Sequence, residues 1–293
     1  MKLVQPINIQ VCSRRIMLRP AVFLAFMEFY EAKLPQLKPS VFNWTDPVNK
    51  PWNLSDYENY LPPDRFGNAD NIYWKRRRKP NATGYFEVGR RNRAGVCTEL
   101  HSGVSFIVEL QGLDIASAVD YVKKSSVQFD GDIAQVHWVT PQEKLIRNEE
   151  CTFEVRRANG GSEFGTNGLR HWLPTLSWAT VFGDAYVRMF GMERLLSAPA
   201  FEVEKLSDSA VYVQLTENLS DLEINYAGFH ASRLKVQAHL GNEAFFDASR
   251  AYPLRGPMGA IPADQYLKAL ADFRCPPPGT NGFKVPEFRF IED

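Results

Sequence analysis

Apolar residues recur with a helical period in five stretches of the chain. After Pro20, apolar and aromatic side chains follow at spacings of three and four residues and stop before Pro35, which predicts an amphipathic core helix. Asp114, a favoured N-cap residue, begins the second stretch, and Gly241 ends the fourth. The last three helices are predicted at about Trp178–Phe190, Tyr226–Leu240 and Ala263–Phe273.

Shorter runs with strand character lie between these helices. They are rich in β-branched and aromatic residues, and turn signals such as Asn92–Gly95 and Ser102-Gly103 separate them, which predicts an antiparallel meander in the first half. The predicted strands are Gly84–Arg91, Val96–His101, Val104–Leu110, Ile133–Thr140, Thr152–Arg156, Ala200–Lys205 and Val211–Glu217. Helices and antiparallel strands without a regular strand-helix alternation predict an α+β fold.

The glycine-rich stretch Gly160–Gly168 divides the predicted elements into two groups. We therefore expect two packed halves, residues 1–158 and residues 159–293, each with short antiparallel strands and amphipathic helices. The first half contains residues 35–84, a segment rich in proline, asparagine and aromatic residues that shows neither period. We interpret it as a long irregular segment, and loops of that length are often functional.

Composition and charge narrow the class of protein. The chain has 293 residues, 44% of them apolar, and a formal net charge of zero, which argues against a surface built as a whole for nucleic acid. No signal peptide is visible at the N-terminus. The most apolar segment, Ala21–Met27, is far shorter than the ~20 residues that a membrane span requires. We therefore expect a cytoplasmic protein without a membrane partner.

Motifs for catalysis or cofactor binding are missing from the sequence. The four cysteines form no Cys-x-x-Cys pair, and Cys97 with His101 is the one pair at ligand spacing. The glycine-rich stretch matches neither phosphate-binding fingerprint, and no nucleophile elbow is present. Glu31-Ala32-Lys33 resembles the short form of a nuclease motif but lies on a predicted helix. We expect no catalytic residues, no metal and no cofactor. An enzyme whose site is assembled from residues far apart in the sequence stays open as an alternative.

A basic run at Lys75–Lys79 is the strongest local charge feature. It is accompanied by arginines at 90, 91 and 93 and by the aromatic residues Tyr73, Trp74, Tyr85 and Phe86. Basic residues beside aromatic residues are typical of single-stranded nucleic-acid binding. The alternative is a solvated loop, which the zero net charge favours.

Six carboxylates between residues 201 and 224 form an opposite, acidic feature, with Lys205 as the only basic residue among them. They are Glu202, Glu204, Asp208, Glu217, Asp221 and Glu223. Such a cluster is either a solvated face or a surface that enters a cationic groove. We take Glu202, Glu204, Asp208, Asp221 and Glu223 as the candidate binding residues.

Four segments of the second half resemble a known family. They are Phe182-Gly183-x-x-Tyr186, Phe190-Gly191, Leu195-Leu196-Ser197-Ala198-Pro199-Ala200 and Val213-Gln214-Leu215-Thr216-Glu217-Asn218. These segments resemble the bacterial type VI secretion immunity family, whose known members neutralise nuclease effectors of the VRR-Nuc kind. The resemblance is thin before Trp138.

The resemblance implies a function in binding. A member of this family binds a cognate type VI effector, here a DNA nuclease, and blocks its active site or DNA groove without catalysis. The acidic candidate residues would then be effector-binding residues. The second hypothesis is a nucleic-acid-binding accessory protein that uses the basic and aromatic region 73–93.

Overall fold

Helices and antiparallel strands make up the protein, which confirms the α+β class. The computed structural model describes residues 6–59, 71–93, 96–143, 168–170, 172–247 and 282–292. The strands are β1 (Pro6–Ser13), β2 (Val41–Asn43), β3 (Lys50–Pro51), β4 (Asn71–Arg76), β5 (Ala82–Glu87), β6 (Arg90–Arg93), β7 (Val96–Glu99), β8 (Ser102–Glu109), β9 (Gly131–Trp138), β10 (Ala179–Phe182), β11 (Glu202–Ser207) and β12 (Ala210–Gln214). The α-helices are α1 (Pro20–Lys33), α2 (Ile115–Gln128), α3 (Asp184–Phe190), α4 (Met192–Leu196), α5 (Asp221–Ile224) and α6 (Tyr226–Leu240).

Ten of the strands form one sheet. Their order is β11-β12-β10-β9-β1-β8-β5-β4-β2-β3, and each of these pairings is antiparallel. The remaining strands, β6 and β7, form a separate hairpin. Within the described part of the chain, β11 and β3 are therefore the two edges of the large sheet.

The central strand β1 was not among the predicted elements. It pairs with β8 on one side and with β9 on the other. Its sequence alternates Ile7, Ile9 and Val11 with Asn8 and Gln10, which is the period of a strand. Every residue of β1 is buried, because both faces of the sheet are covered at this central position.

Helices α1 and α2 cover one face of the sheet, which we call the helical face. Tyr30 of α1 packs its ring 5.4 to 5.8 Å from the rings of Trp74, Phe86 and Phe106. Its hydroxyl donates to the carbonyl of Leu37 at 3.1 Å. α2 begins as predicted, since the Asp114 side chain accepts hydrogen bonds from the backbone N–H groups of the first turn. Both helices thus bury aromatic surface against the strands.

The other face carries buried polar side chains in its middle. Gln135 donates to Gln10 at 3.0 Å, and the Nδ1 atom of His137 accepts the backbone N–H of Trp178 at 3.1 Å. Burial costs the most free energy when the buried group is charged. Arg233 of α6 lies 2.7 Å from Glu143, and both side chains are almost fully buried. This ion pair attaches α6 to the segment that follows β9.

The two halves of the sequence share the large sheet. β9 from the first half pairs with β10 from the second, with Val136 opposite Ala179 and Ile133 opposite Phe182. At the end of this pairing, the N–H of Gly183 donates to the carbonyl of Asp132 at 2.7 Å. A Cβ atom on Gly183 would lie 1.8 Å from the carbonyl oxygen of Gly131. Glycine is therefore required where the chain turns from β10 into α3.

Two predictions for individual elements are wrong. The predicted helix Trp178–Phe190 begins instead as strand β10, because Ala179–Phe182 pairs with strands on both sides and only the residues after Gly183 are helical. The predicted irregular segment 35–84 contains β2, β3 and β4 and the beginning of β5. Short length and proline-rich surroundings hide these strands from a search for periodicity.

Other predictions lie outside the described residues. They concern the strand Thr152–Arg156, the helix Ala263–Phe273 and nearly all of the stretch Gly160–Gly168. The division into residues 1–158 and 159–293 therefore stays a prediction.

We predict that Arg233→Met destabilises the protein by about 3–5 kcal/mol, because it removes the guanidinium that lies 2.7 Å from the buried Glu143 carboxylate and so takes away much of the compensation for that buried charge. The double variant Arg233→Met/Glu143→Met should recover part of this loss, since both buried charges are removed. Urea unfolding measures both. Lys235→Met, at an exposed position of the same helix, is the control and should change stability by less than about 0.5 kcal/mol. An Arg233→Met variant as stable as the wild type would contradict the assignment.

Candidate partner-binding surface

The edge strand β11 carries the first two candidate binding residues. Val203 and Leu206 are half-buried and pack against the core, which fixes the strand on the sheet. Glu202 and Glu204 alternate with Val203 and lie on the helical face, opposite Gln214 and Tyr212 of β12. Their side chains are 44% and 48% exposed. Two carboxylates thus lie side by side at the rim of the sheet.

Lys123 of α2 bridges these two carboxylates. Its ammonium lies 3.2 Å from Glu202 and 2.6 Å from Glu204, and 3.8 Å from the centre of the Tyr212 ring. Burial raises the pKa of the Tyr212 hydroxyl, and the two neighbouring carboxylates raise it further. Two carboxylates and one ammonium leave one net negative charge. No sequence pattern indicates this bridge, because Lys123 is 79 and 81 residues away from Glu202 and Glu204 and meets β11 only through the packing of α2.

The remaining candidate residues lie elsewhere on the surface. Asp208 is in the turn after β11, where its exposed carboxylate pairs with Lys205 at 2.6 Å. This hydrogen bond lowers the pKa of Asp208. At about 3.3 Å per residue, Asp208 is about 20 Å along the strand from Glu202. Asp221 and Glu223 belong to α5, after β12, and Asp221 accepts the backbone N–H of Asn218 at 3.3 Å. The structure therefore brings together Glu202 and Glu204 only.

Exposed apolar side chains lie beside the beginning of β11. Phe201, directly before the strand, is 54% exposed, and Leu196, at the end of α4, is 39% exposed. The backbone N–H of Phe201 donates to the carbonyl of Gln214 at 3.0 Å, which fixes the residue at the end of the edge. Large apolar side chains surrounded by charged residues are typical of protein-binding surfaces. The candidate residues chosen by charge did not include these two.

The segments that resemble the immunity family are packing and turn elements. The rings of Phe182, Tyr186 and Phe190 contact one another at centroid distances of 5.8 to 6.3 Å. The Gln214 side chain closes the turn after β12 by donating to the carbonyls of Thr216 and Glu217. These segments therefore shape the β10–β12 region that positions β11.

The basic and aromatic region divides between the core and the surface. Trp74 and Phe86 are fully buried on the helical face, so they cannot stack on nucleotide bases. Tyr73 and Tyr85 lie on the other face with their rings 6.0 Å apart. Exposed side chains of the turn between β4 and β5 are Arg77, Arg78 and Lys79.

Arg76 differs from its neighbours in this turn. Its guanidinium donates to the carbonyls of Lys38 and Lys79 at 3.2 and 3.3 Å and so connects two loops. Burial lowers the pKa of Arg76. The expectation of a uniformly solvated basic loop is therefore wrong for this residue.

A second buried ionisable pair lies at the other end of β9. His101 and Asp132 are 3.0 Å apart, and the rings of Phe288 and Phe290 from the C-terminal segment pack against His101. Among the residues with described positions, no group of three or more His, Cys, Asp or Glu side chains is arranged to hold a metal ion. No helix in the same residues is both long and apolar enough to span a membrane.

We predict that Arg76→Ser lowers the free energy of unfolding by about 1–3 kcal/mol, because it removes two charged hydrogen bonds to backbone carbonyls. The double variant Arg77→Ser/Arg78→Ser removes exposed charges and should stay within about 0.5 kcal/mol of the wild type. Chemical denaturation compares the two. Equal stability of both variants would show that Arg76 is solvated like the rest of the run.

Comparisons with known proteins find a distant structural similarity. No protein-family model matches the sequence, and no curated protein matches it. Among solved structures, the chain is similar to the Pseudomonas aeruginosa T6SS protein PA0821, with 10% sequence identity and a TM-score of 0.46. The alignment covers 80% of this chain and 75% of that one. A distant structural neighbour is thus a protein named for the type VI secretion system, and at this identity the similarity assigns neither a family nor a partner.

Proposed function

We propose that this protein is an immunity protein that binds a cognate type VI secretion effector, a DNA nuclease, and blocks its active site or DNA groove. The observation that carries the proposal is the acidic edge of the sheet, where Glu202 and Glu204 lie exposed next to Phe201. The resemblance of the segments between Phe182 and Asn218 to the immunity family supports the same function.

Charge complementarity explains how such a surface would inhibit a nuclease. A groove that holds DNA is cationic because it must neutralise phosphates. An inhibitor that places carboxylates in the groove both accelerates encounter and excludes DNA. The Lys123 ammonium limits the net charge of the free surface, and a lysine or arginine of the effector can take its place between Glu202 and Glu204. The two carboxylates would then keep a cationic partner in the complex.

In this proposal the protein acts by occupying a site on its partner. It needs neither a cofactor nor catalytic residues of its own. It works in the cytoplasm, where an incoming nuclease would meet its DNA target.

Complex formation with the product of the adjacent gene tests the function, since immunity proteins are encoded beside their toxins. Co-expression should protect cells from that product, and the purified pair should form a stable complex in which cleavage of plasmid DNA stops. A product that remains toxic and forms no complex with the protein would overturn the proposal.

Two tyrosines on the face of β4 and β5 that is opposite to the helical face support a second candidate function, in nucleic-acid binding. Tyr73 and Tyr85 lie on β4 and β5, the two strands that the turn with the exposed Arg77 and Arg78 connects, and a single strand binds to aromatic rings and basic groups on one surface. Fluorescence anisotropy with a labelled oligonucleotide tests this function. Binding by the wild type that is lost in Arg77→Ser/Arg78→Ser would favour it over the immunity function.

We predict that Glu202→Lys/Glu204→Lys slows association with the effector by about tenfold or more at low salt, because steering by opposite charges is reversed. The difference from the wild type should shrink as salt rises to about 0.5 M, where screening is strong. Surface plasmon resonance at several salt concentrations measures the rate.

The matched control for this reversal is Asp46→Lys/Asp56→Lys. Both residues are exposed: Asp46 lies between β2 and β3 at the opposite edge of the sheet, and Asp56 lies in the short 3₁₀ helix Leu54–Asn59 that follows β3. This variant should associate at close to the wild-type rate. An unchanged rate for the Glu202→Lys/Glu204→Lys variant at low salt would show that the acidic edge does not meet the effector.

A further inference from the structure

The two edges of the large sheet differ in how they are protected. β3 has two residues, Lys50 and Pro51, and proline cannot donate a backbone hydrogen bond to another strand. β11 has six residues and no proline, and its side chains are half-buried or exposed. Among the described residues, no strand pairs with the outer side of β11, and an edge of this length offers its backbone groups to an incoming strand.

The hydrogen-bond pattern identifies which backbone N–H and C=O groups of β11 point away from β12. The N–H of Leu215 donates to the carbonyl of Trp178, so Gln214 and Ala179 form a non-hydrogen-bonded pair between β12 and β10. Because the pattern alternates, Val213 and Val211 direct their backbone groups to β10. The residues opposite them on β11, Val203 and Lys205, therefore direct their N–H and C=O groups away from the sheet.

Self-pairing of two β11 strands is disfavoured by their charges. In a twofold antiparallel pair, residues that share a face lie opposite each other, so one residue lies opposite its own copy. A register centred on Glu204 places two glutamates in contact, and one centred on Lys205 places two lysines in contact. Centring on Val203 places Glu202 opposite Glu204. Like charges directly opposite each other destabilise a strand pair, so a different chain with basic side chains fits this edge better than a second copy.

We infer that β11 binds the partner by strand addition, in which an extended segment of the effector becomes an eleventh strand of the sheet. The segment places lysine or arginine side chains opposite Glu202 and Glu204 and pairs its backbone with Val203 and Lys205. Phe201, at the end of the edge, is the apolar anchor. This inference rests on the proposed function, since it names the mode by which that function's partner binds.

Val203→Pro tests the inference with the product of the adjacent gene as the probe. It removes an outward N–H without taking a hydrogen bond from β12, and its ring occupies the space of an incoming strand. We expect the dissociation constant to rise about tenfold or more. Val203→Thr keeps the N–H and the branched shape, and its dissociation constant should stay within about threefold of the wild type.

Hydrogen exchange of the wild-type protein gives a readout that needs no variant. The amides of Val203 and Lys205 should exchange more slowly in the complex than in the free protein, because strand addition protects these outward N–H groups. If Val203→Pro fails to fold, hydrogen exchange of the wild-type protein is by itself the test of strand addition at β11.

The outcomes separate the inference from the proposed function. Wild-type binding with unchanged affinity of Val203→Pro and no added protection in β11 overturns strand addition and leaves the immunity function standing. Absence of binding by the wild type overturns both. A dimer of the protein alone, lost in Val203→Pro when measured by analytical ultracentrifugation, would show that a second copy occupies the edge and would overturn the inference.

Discussion

The antiparallel pairing of β9 with β10 is the interaction on which the rest of the structure depends. It joins strands built from residues 6–138 to strands built from residues 179–214 in one sheet. Gly183 ends this pairing with a hydrogen bond to Asp132 and leaves no room for a side chain. β10 in turn supports β12, and β12 supports β11. The acidic edge strand β11 is thus held in position by a series of strand pairings that begins at the central strand β1, four strands away.

Buried polar and charged groups give the two faces of the sheet different roles. The helical face buries aromatic side chains under α1 and α2, and burial of apolar surface is favourable in free energy without any polar partner. The other face buries Gln135, His137 and the pair of Glu143 and Arg233. Such groups cost free energy unless they are paired, so they tolerate few alternative packings. They hold α6 in one position, and α5 with Asp221 and Glu223 is held next to it.

Local signals in the sequence predicted the helices more reliably than the sheet. The proline signals placed α1 within a residue or two, the cap signal placed the beginning of α2, and Gly241 marked the end of α6. β1 shows a clear alternation that could have been recognised. β10 could not, because a four-residue strand next to a helix has too few residues to show a period of its own.

For the candidate site, the acidic composition of residues 202–224 could be recognised, but its arrangement could not. The edge position of β11 follows from strand order, which is a property of the whole fold. The bridge from Lys123 depends on where α2 packs.

An edge strand with charged side chains on one face and an exposed aromatic residue at its end unites these observations in a single surface. Lys123 neutralises part of its charge in the free protein and prevents two carboxylates from facing each other without a counter-ion. In the proposed complex, the partner supplies an equivalent cation and a strand. A crystal structure of the complex with the product of the adjacent gene tests this account most directly. The account predicts a partner strand along β11 with a basic side chain between Glu202 and Glu204. A complex in which β11 stays exposed to solvent would contradict it.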